Sequence, residues 1–199
     1  DRNESRDSID TEIYKLVIQI GFIPVLLPNE TITLNYFDKV FKEENIGLVL
    51  FTGGNDIYKF EKNIGSNTYK KRDEIEINLI NYCKEKSIPI LSICRGFQLI
   101  ADNLGANIEE IKNHINTNHE IKFIQSKEKI LVNSFHDYGL LNKNIPPKII
   151  PLAIYEKDNS IEAFTTNDPF LSLNIMWHPE RKNGSKNKTK ALIDKFLFK

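Results

Sequence analysis

The stretch Ile88-Pro89-Ile90-Leu91-Ser92-Ile93-Cys94-Arg95-Gly96-Phe97-Gln98 carries a change of period from which the fold can be read. Up to Ile93 it is a short, apolar, β-branched run, the pattern of a strand buried on both faces. Beyond Cys94-Arg95-Gly96, the apolar residues Phe97, Leu99, Ile100 and Leu104 recur at helical spacing. A cysteine at that break stands on a tight strand-to-helix turn. Its sulfur sits above the sheet edge, and the first free N–H groups of the helix lie beneath it. The positive helix end favours thiolate over thiol, so a nucleophilic sulfur is expected at Cys94. Gly96 is expected to let the helix start lie close against the strand. A lone cysteine is more often a small core residue. The turn and the later histidines set Cys94 apart, whereas Cys83, on the stripe Ile75, Leu79 and Ile80, is assigned to packing.

Upstream, Ile9, Ile13, Leu16, Val17 and Ile20 predict a helix ending at Gly21, and Phe22 to Leu27 reads as a strand closed by Pro28. Leu34, Phe37, Val40 and Phe41 predict a second helix. Ile46 to Phe51 is a second buried strand, running into the loop Thr52-Gly53-Gly54-Asn55-Asp56, whose glycines permit close backbone approach to a ligand. A polar loop to about Lys70 leads into a long amphipathic helix and the Cys94 strand.

Downstream the texture changes to short strand candidates: His119–Ile124, Ile130–Asn133, Lys148–Tyr155, Ser160–Thr165 and Leu173–Trp177. The last runs into His178-Pro179-Glu180. Lys182 to Lys190 reads as a basic, solvated loop or helix approach, and Leu192, Ile193, Phe196 and Leu197 as a closing helix. Strands alternating with helices in the first half imply an α/β fold whose mostly parallel sheet is covered on both faces. Ligands then meet the carboxyl ends of the strands, where Gly54, Cys94 and His178 all fall.

Bulk composition narrows the function classes. At 199 residues, 40% hydrophobic and 27% charged, the chain fits one domain spanning residues 1–199 with a substantial core. Lys plus Arg and Asp plus Glu balance at 27 each, so no global field points to nucleic acid or an anionic membrane. The apolar runs fall far short of the ~20 residues that span a bilayer, and no hydrophobic signal segment opens the sequence. Two cysteines, one poised for chemistry, argue for a reducing, cytoplasmic compartment.

A thiol hydrolase needs a nucleophile, an imidazole to carry the proton and a group that orients the imidazole. His178 and Glu180 lie two residues apart across Pro179, which stiffens the turn. Glu180 can then hold one ring nitrogen of His178 while the other faces Cys94. His114 and His119 flank Asn116-Thr117-Asn118 and are expected in a solvated loop, with too few neighbouring ligands for a metal. No metal or other cofactor is expected.

Cys94-Arg95-Gly96-Phe97-Gln98, Gly53-Gly54, Ser134-Phe135-His136 and Trp177-His178-Pro179-Glu180, in that combination, resemble the class I glutamine amidotransferases. Within them the chain looks most like the γ-glutamyl hydrolase branch, which includes peptidase C26-like and γ-glutamyl-γ-aminobutyrate hydrolases. The resemblance covers about Thr52 to Glu180. It implies a flavodoxin-like, three-layer α/β/α sandwich with a mostly parallel central sheet and added antiparallel strands. It implies a Cys94–His178–Glu180 triad, an oxyanion hole from the N–H groups of Gly54 and Arg95, and substrate contacts from Gly53, Gln98, Ser134, Phe135 and His136. His136 would bind substrate or support the residues that do.

The reaction implied is attack of Cys94 on a γ-glutamyl amide, giving a glutamyl thioester that water hydrolyses. The partner is a small γ-glutamyl molecule, and Lys59, Lys62, Lys70, Lys71, Lys182 and Lys186 would suit one bearing phosphate or a nucleotide. The alternatives are a glutaminase subunit passing ammonia to a partner synthase, and an inactive binding protein of the same fold. Three positions depart from the family pattern. Ser92 replaces a Gly before the elbow, Tyr138 stands where a Gln often follows, and Asp1–Asp10 lacks the usual opening strand. The last leads us to expect either residues upstream of this numbering or a sheet one strand short. The Lys, Asn and Ile bias suits an AT-rich bacterial genome.

Overall fold

The computed structural model describes residues 6–30, 34–60, 67–167, 170–182 and 185–197. Its elements are α1 (Thr11–Gln19), α2 (Leu34–Glu43), β1 (Val49–Phe51), α3 (Asn67–Lys86), β2 (Ile90–Ile93), α4 (Arg95–Asn103), β3 (Ile108–Glu110), β4 (Thr117–Phe123), β5 (Lys129–Ser134), β6 (Tyr138–Leu141), β7 (Ile150–Tyr155), β8 (Ser160–Thr165), β9 (Ser172–Ile175) and α5 (Lys186–Leu197). All nine described strands join one sheet in the order β1-β2-β9-β8-β7-β4-β5, with β6 pairing with β8 and β3 pairing with β6.

Three strands, β1, β2 and β9, run parallel and in register, Phe51 beside Ser92 and Ile93 beside Ile175. Every residue of β2 and β9 is buried. Successive side chains point to opposite faces, so full burial means both faces are covered, as the α/β/α layering requires. The expected class holds, with a different balance. Of the described pairings two are parallel and six antiparallel, so the parallel section is narrower than a mostly parallel sheet.

Helix α4 follows β2 directly and buries Phe97, Leu99, Ile100 and Ala101. Gly96 lies so close to β1 that a Cβ there would stand 2.8 Å from the Phe51 carbonyl oxygen. Ser92, the residue two positions before Cys94, is fully buried. Its hydroxyl donates to Asn174 Oδ1 at 2.6 Å, tying β2 to β9 through a buried polar pair. Phe97 packs edge-on against Phe164, and the indole N–H of Trp177 donates to Thr189 of α5 at 3.1 Å.

Several expectations are corrected. Phe22 to Leu27 forms no strand, and Ile23, Val25 and Leu26 are exposed. Pro24 lacks the N–H a ladder needs, and β1 ends the sheet on that side. Helix α3 begins at Asn67 rather than after Lys70, and α5 absorbs part of the basic segment. The three- and four-residue strands β3 and β6 were not anticipated; neither shows a run long enough to reveal a period. No helix among the described residues is long and apolar enough to cross a membrane.

Candidate active site

The register of the parallel strands assembles the site. Cys94 leaves β2 with its N–H donating to Ile175 O at 2.8 Å, so it begins where β9 ends, three residues before His178. Cys94 has φ 49° and ψ −99°, a conformation that costs energy for any residue with a Cβ and is found at strained functional turns. Gly53 and Gly54 follow β1 on the other side. A Cβ at Gly53 would stand 2.7 Å from His178 Cε1, so the Gly53 backbone rests against the imidazole. Gly54 has φ +138°, a value that favours glycine.

His178 is fixed from two directions. Its Nδ1 lies 2.6 Å from Glu180 Oε1, both residues being buried. Because a carboxylate only accepts, Nδ1 carries the proton and Nε2 is the nitrogen that can take one. The Asn133 side chain clamps the His178 backbone, accepting from its N–H at 2.8 Å and donating to its carbonyl at 3.0 Å. Phe135 meets the imidazole edge-on at 5.6 Å, and the Arg181 guanidinium lies 4.4 Å above the Phe135 ring.

The Gly53-Gly54 loop and the elbow are joined by charge. Buried Arg95 pairs with Asp73 and Glu76 of α3. Glu76 also accepts from Arg72 Nε at 2.7 Å. Arg72 Nη2 in turn donates to the carbonyls of Thr52 at 3.2 Å and Gly53 at 3.3 Å. Asp73 further accepts from the Tyr58 N–H at 2.7 Å. Sequence reading missed Arg72, Asp73, Glu76 and Asn133. A usable signal was Arg95 itself, since a guanidinium next to a buried elbow must find carboxylates.

The Cys94 sulfur differs from expectation. Burial pushes its thiol up to about 12; the Glu180 and Asp56 carboxylates push the same way, and the Arg95 N–H and the Arg181 charge only partly offset them. Desolvation of the anion outweighs the helix end, so the resting group is a thiol rather than a thiolate.

The remaining expected residues fall into two groups. Phe135 is partly exposed beside His178. Ser134, Gln98 and His136 are buried: Gln98 donates to Tyr138 O at 3.0 Å, and His136 Nδ1 bonds the same carbonyl at 3.1 Å. The other His136 nitrogen lies 4.0 Å from Glu162. Burial depresses the His136 imidazole to about 4, against the opposing pull of Glu162, so it is neutral near pH 7. His114 and His119 are not solvated loop residues, because both are buried beside His136 and Glu162. Their polar surroundings in sequence hid a contact with β8, more than forty positions away.

Of the lysines, Lys59 is bonded to Asp102, Lys70 lies 3.8 Å from Glu74 and Lys71 2.5 Å from Glu30. Lys182 and Lys186 are exposed, and Lys62 lies outside the described residues.

Comparison with known proteins agrees with this architecture. The chain is 39% identical over 167 residues to the gamma-glutamyl-CDP-amidate hydrolase of Campylobacter jejuni, covering 84% of this chain and 76% of that protein. It is 33% identical over 122 residues to a carbamoyl phosphate synthase small chain of Buchnera aphidicola, covering 61% of this chain and only 30% of that protein. Two solved structures share the fold. One is a protein assigned to GMP synthase from Thermoplasma acidophilum, with TM-score 0.68, 16% identity, and coverage of 94% of this chain and 85% of the other. The second is a glutamine amidotransferase from Thermotoga maritima, with TM-score 0.54, 18% identity, and coverage of 79% and 74%. Residues 2–180, a span that takes in the Gly53-Gly54 loop, the Cys94 elbow and His178-Pro179-Glu180, match the peptidase C26 family. The chain therefore belongs to the peptidase C26 family.

Proposed function

We propose that this protein hydrolyses the γ-glutamyl amide bond of a nucleotide-linked small molecule, with Cys94 as nucleophile, His178 as proton carrier and Glu180 as its orienting group. One observation carries the reading. The carboxyl ends of three adjacent parallel strands in register bring the Gly53-Gly54 loop, the Cys94 turn and the His178–Glu180 pair to one edge. The substrate class is taken from the Campylobacter relative, the one named for a glutamyl amide joined to CDP.

Since Cys94 rests as a thiol, attack is coupled to proton transfer. The Sγ–H proton passes to His178 Nε2 as sulfur bonds to the γ-carbonyl carbon. The oxyanion is met by the N–H groups of Gly54 and Arg95, one such donor being worth about 3 kcal/mol in the barrier. Imidazolium then protonates the departing nitrogen, the C–N bond breaks, and a glutamyl thioester remains. Water activated by His178 releases glutamate and restores the thiol. Phe135, Ser134 and Gly53 border the glutamyl group. Gln98 and His136 act by fixing Tyr138 O behind it. Arg181, half exposed over Phe135 and 4.0 Å from Glu180, stands with Lys182 where a diphosphate would extend.

A second reading, a glutaminase subunit that delivers ammonia to a synthase, is favoured by the likeness to carbamoyl phosphate synthase small chains. The deciding experiment is a glutamate-release assay of the purified protein on γ-glutamyl-CDP-amidate, simple γ-glutamyl amides and glutamine. The hydrolase reading predicts fast turnover of the CDP-linked compound without any partner. Slow release from every compound, accelerated by an added synthase, would instead establish the second.

A further inference from the structure

We propose that His114, His119 and Glu162, completed by His136, form a buried site for a divalent transition metal, zinc by its ligand set. The cluster joins the segment before β4 (His114), β4 itself (His119), the β5–β6 turn (His136) and β8 (Glu162). One ligand atom from each of His114, His119 and Glu162 lies within 4.8 Å of the others. His119 Nε2 is 3.4 Å from Glu162 Oε2, His114 Nδ1 3.6 Å from Oε1, and His136 Nε2 4.0 Å from Oε2. A tetrahedral zinc with bonds of about 2.1 Å sets its ligand atoms about 3.4 Å apart. The His–Glu162 spacings run from 3.4 to 4.0 Å, and the His114, His119 and Glu162 atoms spread up to 4.8 Å, so the ion would draw the ligands together.

The hydrogen bonds argue for a cation more strongly than the distances do. His136 Nδ1 faces the Tyr138 carbonyl at 3.1 Å, and His114 Nε2 faces Asp158 Oδ2 at 2.6 Å. Both partners only accept, so each ring donates there and directs its second nitrogen toward Glu162. The atoms left facing inward, His114 Nδ1, His119 Nε2, His136 Nε2 and Glu162 Oε2, are buried without a hydrogen-bond partner. His119 has neither ring nitrogen hydrogen-bonded, so a cation among these atoms would satisfy polar groups that are otherwise left bare in a dry interior. The outer contacts are those of metal-binding histidines, a carboxylate on one ring and a backbone carbonyl on another. Ser160 supports the carboxylate, donating to Glu162 Oε1 at 3.1 Å.

All four side chains are at most 3% exposed, which marks a closed, structural site rather than a catalytic one. Its effect on the active site is mechanical. His136 adjoins Phe135, which meets the His178 ring. The Glu162 carbonyl accepts from Met176 N–H at 2.8 Å, two residues before His178.

The test is metal analysis of the full chain purified without a histidine tag, followed by chelator stripping and titration with zinc chloride and with cobalt chloride. The proposal expects about one zinc per chain, a melting temperature that falls on stripping and returns with zinc, and a tetrahedral cobalt spectrum without thiolate charge transfer. Cys94→Ala should keep both the stoichiometry and the spectrum; His119→Gln and Glu162→Gln should lose them. If those two variants fail to fold, the cobalt spectrum of the Cys94→Ala protein still decides. Absence of zinc and cobalt uptake by the wild-type chain, or uptake that disappears in Cys94→Ala, would overturn the site and leave protonated histidines as the compensating charge.

Discussion

Cys94 was legible in the sequence as a position, yet its ionisation was not. A strand-to-helix break with a cysteine on it predicts the turn, and the φ of 49° is the strain that such a turn imposes. The helix end was expected to ionise the sulfur; burial, with Glu180 and Asp56 nearby, instead drives the thiol up to about 12. Desolvation depends on everything packed around the atom, which no local motif states. The sign of the shift gives a test. A raised thiol pKa leaves the thiolate fraction small and growing about tenfold per pH unit through the neutral range. Iodoacetamide labelling of Cys94 in the resting protein, followed by mass spectrometry from pH 6 to 10, should rise steadily with pH. A plateau already reached by pH 7 would show a preformed thiolate and contradict the coupled proton transfer. His178 and Glu180 were readable because they stand two positions apart with only Pro179 between them. Asn133, which holds the His178 backbone from 45 positions away, was not, because a buried asparagine on a strand looks like any polar residue at its end.

Between elements, the decisive link is the chain of charges from α4 to α3 to the Gly53-Gly54 loop. Arg95 is 1% exposed and holds Asp73 and Glu76, and Arg72 carries the connection on to the carbonyls of Thr52 and Gly53. Removing one member of such a buried set strands the others without compensation. Arg95→Met should therefore lower unfolding stability by about 3–5 kcal/mol in urea titrations, and adding Asp73→Asn should recover part of the loss. A loss below about 1 kcal/mol, the worth of an exposed pair, would contradict the network's role. The helices and two of the strands followed from sequence pattern, since Phe37 and Phe41 of α2, Phe97 and Ile100 of α4, and Ile130 and Val132 of β5 are buried as their spacing marks, and the apolar run of β2 is buried throughout. The failures have physical causes. Pro24 denies Phe22 to Leu27 a ladder donor, and β3 and β6 are too short to show a period.

At the scale of the molecule, three parallel strands place the chemistry, and a larger antiparallel extension builds the wall beside it. The parallel section was foreseen because buried β-branched runs alternate with helices. The size of the extension was not, since pairings such as β6 with β8 depend on contacts remote in sequence. That extension supplies Phe135 and His136, which the sequence named, together with Asn133, which it did not reveal, and His114 and His119, which it placed in a solvated loop. On the proposed mechanism, Cys94 and His178 work as one reacting unit at the edge of the parallel section. The sharpest check is kcat/KM for glutamate release from a γ-glutamyl amide by wild type and by Cys94→Ala, with circular dichroism to establish that the variant is folded. A nucleophilic Cys94 predicts a loss of at least about 10⁴-fold, as for removal of the nucleophile in other triads; folded Cys94→Ala retaining activity within tenfold of wild type would contradict it.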